Sequence, residues 1–98
     1  MQFVITAYDG AGMLAKRMEL RPLHLEGMER LKKHLIAAGG MLDDEGKLKG
    51  SVLIMEFQSR EEVDDYLANE IYVKEQVWEK ITVERMNVVY AHGERVGK

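Results

Sequence analysis

The chain has 98 residues, 46% of them hydrophobic and 32% charged, with 1 proline, no cysteine and a formal net charge of −3. That length fits one domain and is too short to enclose a deep private cavity. Without thiols there is no disulfide scaffold, thiolate nucleophile, zinc ribbon or iron–sulfur cluster, and a reducing compartment is suited. The mild acidity speaks against a binder of nucleic-acid backbones, the apolar fraction against disorder, and the lack of a long apolar run against a membrane helix. The expectation is a small soluble α+β domain, cytoplasmic, with neither nucleic acid nor membrane as a partner.

Gln2–Tyr8 is β-branched and aromatic without a helical period, which predicts a first strand. Met1–Ala7 has no basic leader residues and so does not read as a signal peptide. Asp9-Gly10-Ala11-Gly12 is turn chemistry, and Met13–Leu20 reads as a connector. Pro22 suits the first turn of a helix. From there His24, Met28, Leu31, Leu35 and Ala38 form an apolar stripe, with Gly39-Gly40 as the expected stop. Met41-Leu42, a polar turn at Asp43–Lys47 and Ser51–Phe57 read as a hairpin. Ser59 and Glu62 have the spacing of a capping box, opening a second helix with Val63, Tyr66 and Leu67 inward. Asn69-Glu70 breaks that helix, Tyr72–Trp78 is irregular, and Lys80–Val89 is the last strand. Residues 1–90 are expected to be one domain and 91–98 a polar tail.

The order βαββαβ is the ferredoxin-like arrangement, a four-stranded antiparallel sheet with two main helices on one face. Leu53, Met55 and Phe57 alternate with Val52, Ile54 and Glu56, and Phe3 and Ile5 alternate with Val4 and Tyr8, so both sheet faces carry apolar residues. A homodimer, sheet against sheet, would cover the second face; shielding by the tail is the alternative.

Among residues able to carry chemistry, His24 stands out. In the first turn of the predicted helix, the helix terminus and burial would both keep it neutral and fit to act as a general base. Taken alone, a histidine on an apolar face is more often structural. Asp9, at the end of the first strand, is the carboxylate expected to orient it, or else a turn aspartate binding its own backbone. Arg17 and Arg21 offer a fork for a carboxylate or phenolate, or are surface charges answering Glu19 and Glu26. Ser51 lacks a nucleophile elbow and is more plausible as a hydrogen-bonding residue. Tyr72 and Trp78 line a pocket or belong to the core. His34 and His92 read as solvated, no His/Asp/Glu spacing marks a metal site, and Gly10 and Gly12 are only a fragment of a phosphate loop.

Tyr8-Asp9, Lys16-Arg17, the piece Arg21-Pro22-x-His24-Leu25, Gly50-Ser51, Tyr72-Val73 and Trp78-Glu79 together resemble the YCII-related (YciI-like) family, over about residues 2–89. The resemblance implies a ferredoxin-like domain, a dimer of the α/β-barrel class, and a site centred on a histidine and an aspartate, matched here by His24 and Asp9. Many relatives have Asp-Pro-Tyr before the last strand where this chain has Glu70-Ile71-Tyr72, so Glu70 is the reserve carboxylate. The family includes a dehydrochlorinase of a chlorinated hydroxyquinol, which implies proton-transfer chemistry on a small cyclic or aromatic molecule. The expectation is therefore a cofactor-independent lyase or isomerase with His24 as acid/base, Asp9 or Glu70 as its partner, and Arg21, Ser51 and Tyr72 holding the substrate. The alternative is a non-catalytic small-ligand or interaction module on the same dimeric fold.

Overall fold

In the computed structural model, which describes residues 1–98, strict alternation makes Gln2–Asp9 a strand, β1, that buries Phe3, Ile5 and Ala7. Helix α1 (Leu14–Arg30) and a 3-10 turn (Lys32–His34) lead to β2 (Leu35–Leu42) and β3 (Leu48–Glu56). Helices α2 (Arg60–Asn69) and α3 (Ile71–Lys74) precede β4 (Trp78–Met86), and a small hairpin, β5 (Tyr90–Ala91) with β6 (Glu94–Arg95), ends the chain. The main sheet has the order β2-β3-β1-β4 with every neighbour antiparallel. This is the expected ferredoxin-like α+β fold.

Helix α1 departs from the expectation at both ends. It begins at Leu14, not at Pro22, because Leu14–Leu20 is built of strong helix formers. It ends at Arg30, and Leu35 and Ala38, which extended the apolar stripe, belong to β2. A 4-3-4-3 stripe running on into an alternating strand has no visible seam at the junction. Pro22 therefore lies inside α1, and Gly39-Gly40 form part of β2 instead of a helix cap. A Cβ on Gly40 would meet the end of the Leu48 side chain and stand 3.6 Å from Arg17 Nη2.

The cap of α2 forms as expected on one side, with Ser59 Oγ accepting from the Glu62 amide at 3.3 Å. The return bond comes from the amide of Gln58, which donates to Glu62 Oε2 at 2.8 Å. The last strand of the main sheet runs from Trp78 to Met86, short of the expected Val89; Val88, beyond it, is buried and its amide donates to Gln2 Oε1. Part of the expected polar tail is folded, Glu94–Arg95 pairing with Tyr90–Ala91.

Phe3, Ile5, Leu53, Met55 and Val63, each 0–1% exposed, form the centre of the core. The outer sheet face leaves Val4, Thr6, Val52 and Ile54 half-buried. The C-terminal segment covers one end of that face, where Val88 and Tyr90 meet Ile54 and Ala37 around a shallow hollow of ≈ 350 Å³. No helix is long and apolar enough to cross a membrane.

Candidate active site

Arg17 and His24 lie two turns apart on α1 and so share its face toward the sheet. Each meets a buried carboxylate. Asp9, an inward position of β1, follows a register irregularity between β1 and β4 at Tyr8/Asp9, a device that re-aims side chains at strand ends. Arg17 Nη1 donates to Asp9 Oδ1 at 2.9 Å and to Oδ2 at 3.2 Å, while Nη2 donates to Ser51 Oγ at 2.8 Å. The Arg17 and Asp9 side chains are 5% and 6% exposed. Burial raises the Asp9 carboxyl above its ordinary range, and the Arg17 guanidinium offsets this only in part. The Arg17 Nε–H is buried with no acceptor in the chain.

The second carboxylate is Glu70. It ends α2 and caps α3, accepting the Tyr72 amide on Oε1 at 3.3 Å. The same oxygen stands 2.7 Å from His24 Nδ1, and Tyr66 Oη donates to Oε2 at 2.5 Å. The Glu70 side chain is 3% exposed and that of His24 12%. The His24 ring stacks on Tyr72, with centroids 4.3 Å apart and planes at 15°, and meets the edge of Trp78 at 6.0 Å. Tyr72 joins the two pairs: its hydroxyl donates to the Arg17 carbonyl at 3.1 Å, and the guanidinium lies 5.0 Å over its ring. Burial, the largest influence, pushes the Tyr72 phenol upward, so it stays a neutral donor.

Arg17, Arg21, His24, Ser51 and Tyr72 line a cleft of ≈ 250 Å³ between α1 and the sheet, with Leu53 and Gly40 in its wall. A larger groove of ≈ 660 Å³ lies on the other side of Glu70, bordered by Tyr66, Phe57 and Lys74. His24 is absent from that groove's lining, so the imidazole opens to the smaller cleft. No three His, Asp or Glu side chains come together as a metal ligand set.

Three expectations are corrected. Asp9 is taken by Arg17 and does not contact His24; the reserve carboxylate Glu70 does. His24 sits in the interior of α1 instead of its first turn, so no helix terminus acts on it. His34, expected to be solvated, is held at 2.9 Å from the Glu56 carbonyl and stacks on Phe57. Arg21, Ser51 and Tyr72 all line the cleft. Sequence reasoning undervalued Arg17 and took Tyr66 for core alone. The signals were present: Arg17 is seven residues before His24, and Tyr66 is four before Glu70 across a helix end.

Residues 1–87 match the model of the YCII-related domain. Protein YciI of Escherichia coli is 34% identical over 98 residues, covering 92% of this chain and 100% of that protein. An uncharacterized protein of Haemophilus influenzae is 30% identical over the same shares of both chains. The structure of 5-chloro-2-hydroxyhydroquinone dehydrochlorinase (TftG) from Burkholderia phenoliruptrix, in complex with 2,5-dihydroxybenzoquinone, superposes with a TM-score of 0.82 at 32% identity, covering 88% of this chain and 93% of that one. An antibiotic biosynthesis monooxygenase, at 18% identity and a TM-score of 0.56 over 91% of this chain and 98% of that one, shares the fold.

Proposed function

The chain belongs to the YCII-related family, and from that premise we propose that it is a small-molecule enzyme of lyase or isomerase type, with His24 and Glu70 as its acid–base pair. One observation carries the reading: a buried carboxylate 2.7 Å from the Nδ1 of a histidine whose ring lines a cleft. A carboxylate only accepts hydrogen bonds when ionised, so it selects the tautomer with the proton on Nδ1 and leaves the Nε2 lone pair free. A proton taken by Nε2 creates an imidazolium whose charge Glu70 balances; the same proton returns to the substrate or its leaving group in the second half of the reaction. Arg21, which forms no ion pair within the chain, supplies positive charge at the cleft for a phenolate or carboxylate. Ser51 and Tyr72 line the same cleft and complete the substrate site, Tyr72 through its ring because its hydroxyl proton is given to the Arg17 carbonyl.

The likeness to a dehydrochlorinase of a small aromatic compound supports this substrate class. Glu70, which stands where many relatives have an aspartate, reaches His24 with its longer side chain. 2,5-Dihydroxybenzoquinone and related hydroxylated aromatics are the first probes for a thermal-shift screen, since a ligand of the native state raises its Tm. Compounds that bind are then assayed for turnover. Loss of turnover in a folded His24→Asn variant is expected; full retention removes His24 from the mechanism. Binding without turnover, unchanged by His24→Asn, moves the protein to the binding-only class.

The half-buried apolar positions Val4, Val52 and Ile54 of the outer sheet face support a homodimer formed through that face. Sedimentation at micromolar concentration is expected to show a dimer and, for Ile54→Lys, a monomer. A monomeric wild type discards this assembly.

A further inference from the structure

We propose that Tyr66 is a positioning residue for the His24–Glu70 pair, reserving one glutamate oxygen for the imidazole from outside the cleft. The inference rests on the acid–base reading above and adds a residue that touches neither the cleft nor, through it, any substrate: Tyr66 borders the larger groove on the far side of Glu70.

A glutamate has one more rotatable bond than an aspartate, so its carboxylate can turn and exchange its oxygens unless both are held. The Glu70 side chain is 3% exposed, so its lone pairs must be satisfied within the protein. Oε1 takes His24 Nδ1 at 2.7 Å and the Tyr72 amide at 3.3 Å; Oε2 has a single protein donor, Tyr66 Oη, at 2.5 Å. Tyr66 and Glu70 stand four residues apart where α2 ends, so one rigid element fixes their separation. Tyr66 is 7% exposed, and its hydroxyl has no other partner in the chain. Burial first, and the neighbouring carboxylate second, hold the phenol far above its ordinary range. It therefore stays a donor throughout the range in which a histidine titrates.

A hydroxyl proton aimed at Oε2 also stabilises the carboxylate anion and draws part of its charge away from the imidazole. Removing it makes Glu70 more basic and strengthens its hold on an imidazolium. Both effects raise the proton affinity of the pair, whichever member is assigned the proton. The other titratable groups lining the two cavities beside the pair are Arg17, Arg21, Glu26 and Arg30 from α1, His34 after it, Glu62 and Asp65 from α2, and Tyr72 and Lys74 from α3, with Asp9 of β1 behind Arg17. A Tyr66→Phe change leaves all of them in place.

The experiment follows the His24 ring by NMR through a pH titration, with His92, which lies outside both cavities, as the reference in the same sample. In Tyr66→Phe the His24 midpoint is expected to rise by about half a unit or more, with His92 unmoved. In a Glu70→Gln background the same change is expected to leave His24 where it was, because the effect runs through the carboxylate. An unshifted His24 in a folded Tyr66→Phe protein overturns the proposal, as does an equal shift without Glu70. If Tyr66→Phe does not fold, the unmodified protein decides. Its Tyr66 Cζ resonance should follow the His24 titration, and a flat trace overturns the inference. Since the readout is a protonation midpoint, a shifted His24 in a protein that turns over nothing upholds the role of Tyr66 while the enzymatic reading fails.

Discussion

Two buried carboxylates meet two nitrogen bases on one face of α1, yet the pairs differ in kind. Asp9–Arg17 is sealed: both side chains are nearly inaccessible, the guanidinium binds both oxygens and Ser51, and Arg17 does not lose its proton at any working pH. Glu70–His24 joins a carboxylate to an imidazole, a group able to give and take a proton, and the imidazole is the more exposed member. The first pair can order structure but has no proton to exchange; the second can exchange one. Tyr72 lies between them, bonded to the Arg17 carbonyl and stacked on His24, so the fixed pair sets the position of the titratable one.

Breaking the sealed pair should have the largest effect. Asp9→Asn leaves a buried guanidinium without its counter-charge and should cost about 3–5 kcal/mol in chemical denaturation, while the His24 midpoint moves little. A loss under about 1 kcal/mol would mean that water reaches the pair and that its worth is that of a surface bridge. Breaking the titratable pair should divide the effects the other way. Glu70→Gln should lower turnover by roughly 10²–10⁴-fold and lower the His24 midpoint, at a stability cost of about 1–2 kcal/mol. Arg17→Met tests the electrostatics of the sealed site through pH. Asp9 is already raised above 3.8 by burial, and without the cation it rises further. The folded state then binds the proton more tightly than the unfolded state, so the variant keeps its stability below the unfolded value. It loses stability as pH climbs through the folded one. Denaturation midpoints that fail to fall as pH rises from about 4 to about 7 would contradict that sign. The smallest effect belongs to Ser51→Ala, expected to cost about 1 kcal/mol for one hydrogen bond to a charged group that keeps its main partner.

Strands β1 and β3 and their alternation were legible because each buries one face, and a period of two admits only one assignment of sides. The cap of α2 was legible because Ser59 and Glu62 act locally. The register of α1 was hidden, because its apolar positions and those of β2 form one unbroken stripe in sequence. That error carried into the site: with the helix placed too late, His24 fell in a first turn and Arg17 in a connector. Asp9 then looked free to serve His24. The carboxylate of His24 lies 46 residues away, and Arg17 joins Asp9, eight residues away, to Ser51, 34 residues away; no local pattern encodes the two longer contacts. Tyr66 was legible as a buried residue, but not as a donor, because its acceptor lies just past the end of its own helix.

Pro22 has a consequence for how the helix opens. It brings no amide hydrogen, so the Met18 carbonyl has no donor four residues on, and a proline this deep in a helix weakens it by about 3 kcal/mol. The missing bond falls between Arg17 and His24, within a helix that runs unbroken from Leu14 to Arg30, with one buried pair on either side of it. In hydrogen exchange the amides before and after Pro22 should form two protection classes, with the half anchored by Asp9–Arg17 opening less often. A single helix would then let the end carrying His24 fluctuate over the cleft while its other end stays docked.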